Sequence, residues 1–328
     1  MKRINLFFVL VAIVSFLLLV VSCDKGTTTW IDDYETAIEL AKDQKKDVLL
    51  FVTGEDWDSK SAELKTNIFG TKSFMDKAGK NFVLTQLDFS NALYETLELP
   101  ENATDEERVK AAEMETRLEK NANVAMELNA TSMALPVVML LTSDGYVYSV
   151  IDNVDNFSTA ESYLDYINAQ KKTGEKITEL LKTVDSKEGV EKAKVIDELY
   201  ETIPASHRYL VSDYAILVPE LDPENETGAV GKYEILLAYT DAINLINGND
   251  PEGAIKVFLN VIESGHLNEE ETQEMYYQIA YFYNLQGEAY LDDILKYLQL
   301  AIEVAPDSKV AKEVIQPTYD SFIQLKNQ

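Results

Sequence analysis

Apolar residues fall along this chain in three rhythms. Leu6 to Val21 is apolar without a break except at Ser15. From Trp30 to about Gln170, short apolar runs alternate with stretches whose apolar residues recur every three or four positions. From Lys171 to the end only the helical spacing remains. The first rhythm marks a leader, the second an α/β domain and the third an all-α domain.

Within the middle stretch, Tyr34, Ala37, Ile38 and Ala41 mark one face of a helix over Trp30–Lys42, with Asp32 or Asp33 as its cap. Val48–Val52 is continuously apolar, which suits a strand covered on both faces. A turn at Gly54 follows, then a helix over Ser59–Lys65 headed by Trp57. Asn67–Ala78 continues it, with a break near Gly70. Phe82–Asp88 is a second strand. The connection 91–121 is long, and its centre, Asp105–Lys120, is charged and Ala/Glu-rich. It predicts an exposed helical insertion capped by Thr104 after Pro100, either a lid or docking arm or an elaboration without a role. Val124–Leu128 is helical. A strand follows Leu135-Pro136, Ser143-Asp144-Gly145 turns the chain, and Tyr146–Ile151 alternates like a returning edge strand. Thr159–Gln170 closes the domain, with Tyr163, Leu164 and Ile167 inward.

The last stretch predicts helices over 174–183, 188–202 and 206–217, broken by Pro204, Pro219 and Pro223. Further helices follow over 232–246, 251–264, 268–285, 290–305 and 308–325. Two helical pairs look alike: Gly248, Ala254, Phe258, Val261 and Ile262 in one, Gly287, Ile294, Leu298, Ala301, Ile302 and Pro306 in the other. Tyr276, Tyr277, Tyr281, Tyr283, Tyr290 and Tyr297 crowd this half, as inter-helix packing or as the lining of a peptide groove.

Charge and cysteine content narrow the choices. The net charge is −28, and removing Lys2 and Arg3 with a leader makes the rest more negative still. Such a field repels phosphate backbones, so no nucleic-acid partner is expected. There is one cysteine, Cys23, so no intramolecular disulfide can form. Clustered His or Cys ligands for zinc, an ordered calcium loop and a Gly-rich phosphate cradle are all missing from the pattern, so no metal or cofactor is expected. His207 and His266 lie far from Ser61 in sequence, which leaves a Ser–His pair unsupported.

Lys2 and Arg3, the apolar run and Val20-Val21-Ser22-Cys23 together resemble a bacterial lipoprotein signal. The resemblance implies cleavage after residue 22 (1–22 as signal peptide), lipid on Cys23 and a polar tether over 23–29. An uncleaved signal anchor with an incidental cysteine is the alternative. The expected location is the bacterial cell envelope, lipid-anchored and facing the periplasm or the exterior.

The stretch VLLFVTGEDWDSKS (Val48–Ser61), the Leu135-Pro136 pair before a strand and the Asp144-Gly145 hairpin resemble a thioredoxin-like domain over 30–170. In that family Trp is followed by Cys-x-x-Cys, and a cis-proline loop lies beside it. Here Asp58 and Ser61 occupy the two cysteine positions, and disulfide exchange needs a thiolate and a resolving thiol. No catalytic residue is therefore expected. The second of the look-alike helical pairs resembles a tetratricopeptide repeat, within a helical domain over 171–328, although its turn after Gly287 is longer and Ile294 stands where a small residue is usual.

The fold expected is thus an α/β thioredoxin-like domain followed by an all-α, tetratricopeptide-like domain. The function expected is a non-redox, membrane-anchored module that binds a protein or peptide, with Trp57, Leu135 and Pro136 as the candidate groove. The alternatives are a thiol-disulfide pathway protein using external thiols and a surface adhesin or antigen.

Overall fold

The computed structural model describes residues 28–151 and 156–327. The signal segment 1–22, Cys23 and most of the tether lie outside them. The chain forms two compact units, Met1–Lys172 and Thr173–Gln328.

The first unit is built around one strand. β1 (Asp47–Thr53) is buried from Val48 through Thr53. On one side it pairs in parallel with β2 (Phe82–Asp88), Leu49 against Leu84. On the other it pairs antiparallel with β3 (Val137–Leu141), Leu49 against Leu140. β4 (Val147–Ile151) returns antiparallel to β3, giving the order β2-β1-β3-β4. An apolar run with no alternation fits this position, because β1 has neighbours on both edges and cover on both faces.

The helix predicted within Trp30–Lys42 is α1 (Tyr34–Gln44), capped as expected by Asp33, whose carboxylate accepts from Thr36 N. The residues before it are extended. Ile31 bridges to Thr85, donating to Leu84 O at 2.9 Å and accepting from Gln86 N at 2.8 Å. The apolar Trp30-Ile31 pair therefore covers the outer edge of β2 instead of beginning a helix.

After β1, α2 (Ser59–Leu64) continues as a π turn, Lys65–Phe69, before a break at Gly70 and α3 (Lys72–Ala78). Asn67–Phe69 thus continues the first helix, and the break falls at Gly70 as expected. The π turn brings Phe69 into an aromatic core with Phe51, Phe74 and Tyr163, ring centroids 4.9–5.1 Å from Phe69.

The charged stretch predicted as an exposed helical insertion is helical as expected and continues through Glu127, but it is not exposed throughout. After α4 (Asn91–Glu95), α5 (Asp105–Glu127) runs unbroken, opened by the Thr104–Glu107 capping box. Its second half is docked. Arg117 pairs with Asp32 at 2.7 Å, Lys120 with Glu35 at 2.6 Å, and buried Asn121 donates to Asp32 O at 2.9 Å.

The two helices predicted over 159–170 and 174–183 are one, α6 (Ala160–Val184), and the boundary between the units falls within it. Gly174 lies inside this helix and is buried. A helical glycine costs only about 1 kcal/mol against alanine, which tertiary packing can offset.

In the second unit α7 (Gly189–Thr202) is followed not by one helix over 206–217 but by a 3-10 segment, Ala205–Val211, and two short helices, α8 (Ser212–Ala215) and α9 (Val218–Leu221). Pro219 sits in the first turn of α9, where its missing N–H costs nothing. Two helical hairpins follow: α10 (Val230–Asn247) with α11 (Pro251–Ser264), and α12 (Glu269–Gln286) with α13 (Leu291–Val304). A π turn, Ala311–Ile315, leads into α14 (Gln316–Lys326). Ala242, Ala254, Phe258, Met275, Ile279 and Leu298 centre their shared core. Of the tyrosines, Tyr283 stacks on Tyr297 at 5.7 Å and meets Tyr290 at 5.6 Å, so these rings fill space between helices. Tyr281 remains half-exposed.

Asp222, at the end of α9, is buried. Burial pushes its carboxyl up. Hydrogen bonds from the Thr227 hydroxyl, Thr227 N and Glu226 N outweigh that and hold it below its ordinary value near 3.8. A carboxyl lowered by folding contributes stability above its unfolded pKa and loses it as pH falls through the folded one. The second unit should therefore destabilise as pH drops below about 4, and Asp222→Asn should flatten that acid limb in circular dichroism melts.

Tyr163 is fully buried and its hydroxyl has no hydrogen-bond partner among the described residues. Burial pushes its pKa well up. Removing an unsatisfied buried hydroxyl relieves its desolvation penalty. Tyr163→Phe should raise the stability of the first unit by about 1 kcal/mol in urea unfolding. Fluorescence isolates that transition, because both tryptophans, Trp30 and Trp57, lie in this unit. A fall in stability would refute the assignment.

Candidate functional site

The candidate site is the corner where β1 ends. Trp57 N and Asp58 N both donate to Gly54 O, at 3.1 and 2.8 Å, closing a tight turn. Asp58 is extended, at φ −112°, and its Oδ2 accepts from Ser61 N at 2.7 Å. It is the N-cap of α2, a position that favours a short side-chain acceptor and a negative charge. Ser61, three residues on, is fully buried, and its hydroxyl has no hydrogen-bond partner among the described residues. Thr53 Oγ1, at the last residue of β1, is likewise buried and unpartnered. The two residues at the expected cysteine positions therefore differ sharply. One is a partly exposed cap and the other an enclosed hydroxyl without a base beside it.

Trp57 is 54% exposed, but its indole is not free to swing. Nε1 donates to Phe89 O at 2.8 Å, in the loop after β2. Phe89 N in turn donates to Thr53 O at 2.8 Å. The backbone of one residue, Phe89, thus extends the β1–β2 ladder through its N–H and anchors the tryptophan through its carbonyl. The ring lies over Gly54 so closely that an added Cβ there would stand 2.3 Å from it. Gly54 is required by this approach.

Pro136 follows a cis peptide bond from Leu135. Val52, one residue before the end of β1, pairs with Val137, the residue after Pro136, so the strand end and the proline loop lie at the same end of the sheet. β1 lies between β2 and β3, and the Trp57 indole is held by Phe89 in the loop after β2. A pocket of about 250 Å³ at Pro136 is lined by Met133, Ala134, Val137, Val150 and Ile151.

Sequence reasoning missed two residues here. Asp56 caps the short helix α4 from a distance, its carboxylate accepting from Asn91 N at 2.9 Å and Ala92 N at 2.7 Å. Lys65, in the π turn, pairs with Glu55 at 3.4 Å, donates to Gln86 and lies 5.1 Å from the Trp30 ring. The Asp56 partners lie 35 and 36 residues on, and the Lys65 partners, ten or more residues away, fall outside any helical spacing, so neither gives a local signal. Among the described residues no group of His, Cys, Asp and Glu is arranged to hold a metal ion. Among them, no helix is long and apolar enough to cross a membrane. Cys23 lies outside them.

Comparison with known proteins agrees with this geometry. Residues 29–142 match the thioredoxin-like family, and residues 229–326 match an uncharacterised protein C-terminal domain. The first unit therefore carries a thioredoxin-like α/β domain, and the region after it is largely helical. An uncharacterised protein of Treponema pallidum (strain Nichols) is 24% identical over 184 residues, 56% of this chain. The chain spans 60% of that relative's length. Among solved structures, a DsbH oxidoreductase aligns over 45% of this chain and 86% of its own, at 18% identity and a TM-score of 0.31.

Asp56→Ala should remove both caps of α4 and lower the stability of the first unit by about 1–2 kcal/mol. The same fluorescence-detected unfolding measures it. Unchanged stability would mean that the Asp56 bonds hold nothing in place.

Proposed function

We propose that this chain is a lipid-anchored envelope protein whose thioredoxin-like unit binds a protein or peptide without redox chemistry. The observation that carries this reading is the occupancy of the corner. Asp58 caps α2 and Ser61 is sealed beneath it, at the two positions where the resemblance calls for sulfur. Neither can form or resolve a mixed disulfide. Cys23, the only cysteine, is assigned in this reading to lipid. An extended segment would lie across the end of β1, between the exposed face of Trp57 and the backbone of Leu135. The helical unit, read as tetratricopeptide-like, would act as a scaffold whose hairpins bury their apolar faces against one another.

Two measurements test this. The full chain with Cys23→Ser, in detergent, should show no turnover with a disulfide substrate under thiol trapping. Measurable turnover would restore a thiol-disulfide role. A photoreactive side chain placed at exposed Ala134 should form adducts with a protein in intact envelopes, and Trp57→Ala should reduce them about tenfold. Equal adduct yield from a folded Trp57→Ala protein would remove the corner as the binding site.

A further inference from the structure

The largest contrast in surface chemistry lies on one face of α12. Glu270, Glu274, Tyr277, Tyr281 and Leu285 follow one another at steps of four, three, four and four residues, so they form a single stripe along the helix. The stripe changes character along its length. Its first turns carry carboxylates, and its last turns carry Tyr281 and Leu285, 50% and 57% exposed. At 1.5 Å per residue, Tyr281 and Leu285 lie roughly 10 and 16 Å beyond Glu274 along the axis.

The acidic end of the stripe is one wall of a cleft of about 460 Å³, whose opposite wall is the turn that carries Ser308, Lys309 and Val310. That turn is fixed from inside. The buried amide of Gln273 donates to Ala301 O and Ala305 O, at 2.6 and 3.0 Å, and accepts from the Ser308 hydroxyl. Ser308 Oγ also accepts from Ala311 N at 2.9 Å. A cleft with a wall held by a satisfied buried side chain loses little freedom when it is filled. Lys309 is the one cation lining it, and it pairs with Glu313 at 3.7 Å. Glu274 accepts from Tyr239 OH at 2.7 Å, a bond to a neutral donor that leaves its charge uncompensated.

We infer that this face is a docking surface for a segment of another protein that is basic at one end and apolar at the other. The basic end would sit in the cleft against Glu270 and Glu274, beside the apolar faces of Tyr277 and Val310. The apolar end would cover Tyr281 and Leu285. Charge complementarity selects this occupant. A chain of net charge −28 repels acidic segments, and here a carboxylate-lined cleft runs into an exposed apolar stripe on the same helix. The surface is in the second unit and is independent of the β1 corner, so the failure of either leaves the other standing.

The test is fluorescence anisotropy with the full chain in detergent. The probe is a labelled synthetic peptide with two lysines at one end and two leucines at the other. Glu270→Gln with Glu274→Gln should weaken its binding about tenfold and flatten its salt dependence. Tyr281→Ser with Leu285→Ser should weaken binding by a similar factor and leave the salt dependence in place. A charge-matched control in the same unit, Asp213→Asn with Glu220→Gln, should change binding less than about twofold. The inference is overturned if the control weakens binding as much as the cleft variant, which would mean a diffuse field and no site. It is overturned equally if the peptide with glutamates for lysines binds as well, or if no binding occurs at millimolar peptide.

Discussion

The first unit depends on the enclosure of β1. Six consecutive residues, Val48–Thr53, have no access to solvent on either face, so every backbone polar group among them must be answered by a neighbouring strand. β2 and β3 provide the answers, and most of the unit follows from that need. Ile31 closes the outer edge of β2, the π turn supplies Phe69 to one face, and the end of the strand must turn sharply at Gly54 because nothing continues the ladder. The corner is therefore a by-product of burying β1 and persists whatever side chains stand at residues 58 and 61.

That independence lets the turn keep its geometry with a carboxylate at residue 58 and a hydroxyl at residue 61. The turn is held by backbone bonds to Gly54, by the Phe89 peptide and by the Asp56 carboxylate. None of these uses residue 61, and residue 58 enters only as a cap, a role a carboxylate fills well. What the scaffold sets at one end of the sheet is Trp57, held from the loop after β2, and the loop that carries Leu135 and Pro136.

Much of this could be read along the chain. The unbroken run of β1, the strand after Leu135-Pro136 and the four helices of the two hairpins all show in apolar spacing alone. Failures came where a tertiary partner reversed a local preference. Trp30 and Ile31 give no local sign that they close the outer edge of β2. Arg117 and Asn121 read as part of an exposed charged helix, but both bond back to Asp32. Gly174 reads as the start of a new helix and instead lies buried inside α6. Asp56 is the clearest case, because a loop aspartate gives no hint that its partners lie 35 residues on.

The sealed hydroxyl of Ser61 and the capping carboxylate of Asp58 share one further property. Neither position carries an atom that peroxide can raise through sulfenic and sulfinic states, and neither can be trapped as a mixed adduct with a small thiol. On the proposed reading, whatever docks at this corner would be held equally well in an oxidising or a reducing fluid.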